Sequence, residues 1–131
     1  MTEDIRRKGV VDSVKFEVNT AAKVITGEVE IEAPSEKVWT LLTSHDEIIT
    51  WYDECDNITR HSPQATLQVG STFQLTRGGV STWCRVTLME SCRQLGWIEE
   101  TAGTPTVFVA FRLEPLGHER TRLVHTKTLA E

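Results

Sequence analysis

The chain has no excess of basic residues, no apolar run long enough to cross a bilayer, and too few cysteines to staple a fold. Its 14 Lys and Arg stand against 19 Asp and Glu, a formal net charge of -5. Nucleic-acid binding requires a basic stripe and is excluded on that balance. Membrane insertion is excluded by the missing apolar run. Cys55, Cys84 and Cys92 are odd in number and lack C-x-x-C spacing. They fit packed or free thiols in a reducing compartment, and neither a disulfide framework nor a zinc site. Met1–Lys8 lacks the apolar stretch of a signal peptide, so a cytoplasmic location is expected. G-x-S-x-G, H-E-x-x-H and G-x-G-x-x-G are all missing, as are repeats and low-complexity tracts. No metal or other cofactor is expected.

What is present is strand alternation, broken once. Val14, Phe16 and Val18 alternate with Lys15 and Glu17, a short strand in an N-terminal extension, residues 1–22. From Ile25 to Glu32 the alternation is strict, with Ile25, Gly27, Val29 and Ile31 on one face. Pro34 ends that strand and Ser35 is placed as a helix N-cap. Val38, Trp39, Leu41 and Leu42 then follow helical spacing. Ser44–Glu47 reads as a capping box for a second short helix presenting Ile48, Ile49, Trp51 and Tyr52. Asp56–Arg60 can form a short strand, and five more are marked at Ser71–Thr76, Ser81–Met89, Gln94–Thr101, Thr106–Leu113 and Thr121–Leu129. At 131 residues one core suffices. The fold class is α+β, a curved antiparallel sheet of about 6–7 strands with two short helices after its first strand.

Several phrases in this order carry a resemblance: Ile31–Trp39, Leu41–Thr43 with Trp51 following, Val69–Phe73, Leu95–Trp97, Phe111–Pro115 and Thr121–Leu123. Together they resemble the START-like helix-grip superfamily, also called SRPBCC, in its polyketide cyclase/dehydrase and lipid-transport-type branch. The resemblance covers residues 23–131 as one domain. It implies a curved sheet gripping a long C-terminal helix around a hydrophobic cavity. That helix is not found after Leu129, so the concave face is expected to need another cover, either Val10–Val18 or a partner subunit. A homodimer is expected on that ground.

Alternation selects the residues facing the cavity. Phe73, Val86, Trp97, Val109, Phe111 and Leu123, with Trp39 from the helix, form the apolar lining; Trp51 and Tyr52 border its mouth. Glu99, His125 and Lys127 supply polar groups on the same face. On Ser81–Met89 a bulge could exchange Cys84 and Val86 with Trp83 and Arg85. An apolar pocket with few polar groups suits a small hydrophobic ligand, such as a lipid, a polyketide or an aromatic metabolite. Glu99 and His125 as an acid–base pair would suit a polyketide cyclase or dehydratase. The plainer alternatives are a Glu99–Lys127 cross-strand pair at a wet rim and a hydrogen-bonded core His125. A third function is a protein-interaction module of the chaperone-activator type. Asp53, Glu54 and Asp56 lack calcium-loop spacing and read as a solvated loop. His45, His61 and His118 are given no ligand role, Thr76–Gly79 is a hairpin turn, and Cys55 and Cys84 are packing residues.

Overall fold

Why does a chain that is mostly antiparallel strands carry helix across their face? Strand order answers this. The computed structural model describes residues 11–19, 23–44, 47, 52, 56–61 and 66–129. Among them are strands β1 (Val11–Asn19), β2 (Val24–Ile31), β3 (Asn57–Arg60), β4 (Thr72–Arg77), β5 (Val80–Glu90), β6 (Gln94–Glu100), β7 (Val107–Pro115) and β8 (Thr121–Leu129), and one helix, α1 (Ser35–Thr43). All pair antiparallel in the order β1-β2-β8-β7-β6-β5-β4-β3. Strands β3 to β8 form a meander, whose last strand returns to pair with β2. Consecutive strands β2 and β3 therefore lie six positions apart, roughly 29 Å at the usual strand spacing. The connection from β2 to β3 must cross the face of the sheet, and it carries α1 and Tyr52.

Burial follows the alternation. Inward residues Leu95, Trp97 and Glu99 of β6, and Val109, Phe111 and Leu113 of β7, are all buried. Cys84 and Val86 face inward on β5, and the bulge falls just beyond them, between Val86 and Leu88. Helix α1 sets Val38 and Leu42 into this same core and rests on β7. The N-cap is Pro34 and not Ser35, whose hydroxyl lies 3.1 Å from that of Thr121 on β8. Ser35 thus ties the helix start to the sheet instead of capping it. The second expected helix lies almost wholly outside the described residues; within it, the Glu47 amide donates to the Ser44 carbonyl at 3.1 Å.

The β4–β5 hairpin turns on Gly78 and Gly79, with φ of 54° and 82°. A two-residue turn with both φ positive needs residues without a Cβ. Asp56 secures it, its Oδ2 accepting from the Gly78 amide at 2.6 Å, which gives that carboxylate a structural role. On the outer face, a ladder of charge crosses three strands. Glu114 binds Arg112 and Arg122, and Glu30 binds Arg122 and Arg120. These arginines hold the Glu30 and Glu114 carboxyls below their ordinary range. No described helix is long and apolar enough to cross a membrane.

Candidate functional site

Tyr52, on the crossing segment, lies over the middle of the inner face and is fully buried. Its ring meets Trp97 edge-on at 5.5 Å, Phe111 at 6.4 Å and His125 at 6.1 Å between centroids. Trp97 also packs against Phe73 at 5.3 Å and Phe111 at 5.1 Å, and His125 stacks flat on Phe111 at 4.4 Å. The register explains this cluster: Trp97 is opposite Val109, and Phe111 is opposite both Leu95 and His125. Edge-to-face pairs of this kind add to plain area burial.

Into that aromatic interior the sheet projects one carboxylate. Glu99 is 5% exposed, and its Oε2 accepts from the Tyr52 hydroxyl at 2.5 Å and the Trp97 Nε1–H at 2.9 Å. Its Oε1 takes no hydrogen bond from any described residue. Two cations complete the arrangement, the Arg77 guanidinium 5.0 Å and the Lys127 ammonium 4.8 Å from the Tyr52 ring centroid. Both lie in the range where a ring face attracts a cation.

The expected lining residues converge here. Phe73, Val86, Trp97, Val109, Phe111 and Leu123 are buried, and Trp39 is half-buried against them. Trp51 lies outside the described residues. Glu99 is a buried acceptor, not half of a wet-rim ion pair with Lys127, whose ammonium sits over Tyr52. Glu99 is level with Leu129, and His125 with Leu95, four residues away along the strands, so Tyr52 stands between the two groups. Arg77 was missed. Read as part of a turn, it continues the inward series Phe73, Leu75, Arg77, which was the available signal. A separate cleft of about 720 Å³ lies at the other end of the sheet, beside the start of α1, lined by polar residues including Ser35, Arg93 and His118. It is remote from the aromatic cluster. Among the described residues no group of His, Cys, Asp and Glu could hold a metal ion.

Tyr52 is the chain's one tyrosine, so its ionisation can be read alone. Burial pushes its hydroxyl well above the ordinary 10.0, helped by the Glu99 charge and hydrogen bond, with Arg77 pulling the other way. The folded state therefore keeps this proton where the unfolded chain loses it. The contribution to stability is complete below about pH 10 and is lost as pH rises toward the folded value. In an alkaline titration, tyrosinate absorbance should appear only above the ordinary range, and Tyr52→Phe should lessen the alkaline loss of stability. Tyrosinate forming at its ordinary pH in a folded chain would refute the burial.

The model of the family described as Activator of Hsp90 ATPase homolog 1-like protein matches residues 32–131, most of the chain. The chain belongs to this family. Its architecture is that of the START-like, or SRPBCC, helix-grip superfamily. Solved structures share the fold of this Activator of Hsp90 ATPase homolog 1-like domain. A protein of Arthrobacter aurescens matches at TM-score 0.73 and 17% identity, over 89% of this chain and 74% of its own. CalU16 of Micromonospora echinospora matches at TM-score 0.65 and 22% identity, over 92% and 70%. DynU16, from the dynemicin biosynthetic locus, matches at 0.64 and 20% over 82% of this chain, which spans 37% of DynU16. No curated protein matches the chain.

Proposed function

We propose that the domain binds a small hydrophobic molecule between the inner sheet face and the crossing segment, with Glu99 receiving its polar group. One observation carries this reading: a buried carboxylate inside an aromatic interior, with one oxygen held by Tyr52 and Trp97 and the other without a hydrogen bond from any described residue. Burying a carboxylate is costly, and a buried carboxylate with specific partners in an apolar interior is a functional-site candidate. Aromatic walls with few polar groups suit a lipid, a polyketide or an aromatic metabolite bearing a hydroxyl. Phe111, His125 and Lys127, which surround the same Tyr52 ring, would contact its body.

A native mass spectrum of freshly purified protein, followed by extraction of whatever dissociates, tests the reading. A small hydrophobic adduct is expected, and added 1-naphthol should bind one-to-one with a negative heat-capacity change. Glu99→Leu should weaken naphthol by about tenfold, a loss of ~1.4 kcal/mol. No adduct and no saturable binding would sink the proposal.

A second reading is cyclase or dehydratase chemistry. The 2.5 Å contact between a phenol and a carboxylate favours it, with Tyr52 and Glu99 available to pass a proton and His125 beside the same ring. His125→Gln with unchanged turnover of a candidate polyketide would remove that residue from catalysis. The family's description names an activator of the Hsp90 ATPase, and a pull-down with that chaperone is the corresponding check.

A further inference from the structure

The large apolar side chains left exposed near the centre of the sheet lie on its outer face. Trp83 is 49% exposed, Phe108 49% and Leu88 42%. With Ile98 and Ala110 they form one patch across β5, β6 and β7. The register fixes its layout: Trp83 is opposite Glu100, Arg85 opposite Ile98 and Ile98 in turn opposite Phe108, and Leu88 opposite Gly96 and Gly96 in turn opposite Ala110. Gly96 is buried in the middle of this patch, with the Leu88 side chain beside it, where a Cβ would meet the Leu88 Cβ at 3.4 Å and the Val109 carbonyl at 3.5 Å.

Charge distinguishes this patch from the rest of the outer face. On β7, β8 and β2, Glu30, Glu114, Arg112, Arg120 and Arg122 are linked in ion pairs. Arg85 and Glu100, exposed at the patch border, have no ion-pair partner among the described residues. Opposite charges on one patch, each without an ion-pair partner among the described residues, complement a second copy of the same patch.

We propose that two copies of this chain associate through their outer faces on a two-fold axis running diagonally along Trp83, Ile98 and Ala110. In the register such an axis exchanges Arg85 with Glu100 and Phe108 with Gly96. Each arginine then meets the other copy's glutamate, and each phenylalanine lies over the other copy's β6 at Gly96, beside Leu88. An axis diagonal to the strands crosses the two sheets near a right angle, one of the two standard packings of sheet on sheet. The contact is isologous, so each charge pair occurs twice and closes a dimer.

Sedimentation equilibrium of the full chain tests this, with circular dichroism to check that the exposed-site variants remain folded. The wild type is expected to be dimeric at about 10 µM, and Arg85→Glu or Glu100→Arg alone should raise the dissociation constant about tenfold or more. Phe108→Ser should weaken it similarly. The combined Arg85→Glu and Glu100→Arg chain should return to within about threefold of wild type, since the pairs are re-formed with their signs exchanged. A wild type that stays monomeric to about 100 µM, a dimer unmoved by the single reversals, or a double reversal without rescue overturns the proposal.

Discussion

Replacing Trp97 by alanine is expected to cost about 3–5 kcal/mol, the largest loss of any single truncation in this chain. Trp97 is 1% exposed and touches Phe73, Phe111 and Tyr52. Truncation removes its transfer free energy, leaves a cavity among rings that cannot collapse onto it, and takes one donor from Glu99. Against a total of about 5–15 kcal/mol, that loss leaves a marginal fold. Urea unfolding should show a lower midpoint, and the melting temperature should fall by about 10–20 °C. Trp97→Phe separates the two contributions: it keeps one six-membered ring in the cluster and loses the indole N–H with the rest of the five-membered ring, so about 1–3 kcal/mol is expected. If alanine and phenylalanine cost the same, the packing account fails.

The second large effect concerns Glu99. Removing a buried charge is often neutral or stabilising when a hydrophobic residue of similar volume takes its place. Here it should not be, because Glu99→Leu strands the Tyr52 hydroxyl and the Trp97 N–H together. At about 1–3 kcal/mol for each buried donor left without an acceptor, a net loss of about 2–4 kcal/mol is expected. Glu99→Gln keeps an acceptor oxygen in place and should cost about 1 kcal/mol. Adding Tyr52→Phe to the leucine variant should restore about 1–2 kcal/mol, since the stranded hydroxyl is gone. A leucine variant as stable as wild type would show that the carboxylate organises neither neighbour.

The residues on each strand face were legible because period-two alternation runs through β4, β6 and β7 and through β5 up to its bulge after Val86: Phe73, Val86, Trp97, Val109, Phe111 and Leu123 could be assigned inward from the sequence alone. Alternation gives a face, however, and not what fills the space in front of it. That Tyr52 would seat its hydroxyl on Glu99 was not legible, because no strand register ties the β2–β3 connection to the sheet. The same gap hid the separation of Glu99 and His125, which share a face yet sit four residues apart in register. Arg77 was obscured by its neighbours: two glycines made a turn the stronger signal. The expected cover of the inner face by Val10–Val18 also requires correction, since Val11–Asn19 instead extends the sheet beside β2. Phe73, Trp97, Phe111 and Leu123 are buried within the chain, and Trp83 and Phe108 on the outer face are the exposed ones. Composition could not distinguish the two faces, since both carry large apolar residues.

The return of β8 to β2 has a consequence during synthesis. Val24 is opposite Thr128 and Ile31 opposite Thr121, so the partner of β2 is made roughly a hundred residues later, or about 5–20 s at ordinary ribosomal speed. For that interval the β1–β2 hairpin presents an open strand edge, the feature most prone to pair with the wrong chain. The sheet cannot be completed by local contacts alone, and such non-local closure slows folding. The alternating Glu28 and Glu30 of β2, with Glu32 just beyond its end, set like charges against a neighbouring nascent copy, so the waiting edge repels its own kind until Arg122 arrives opposite Glu30.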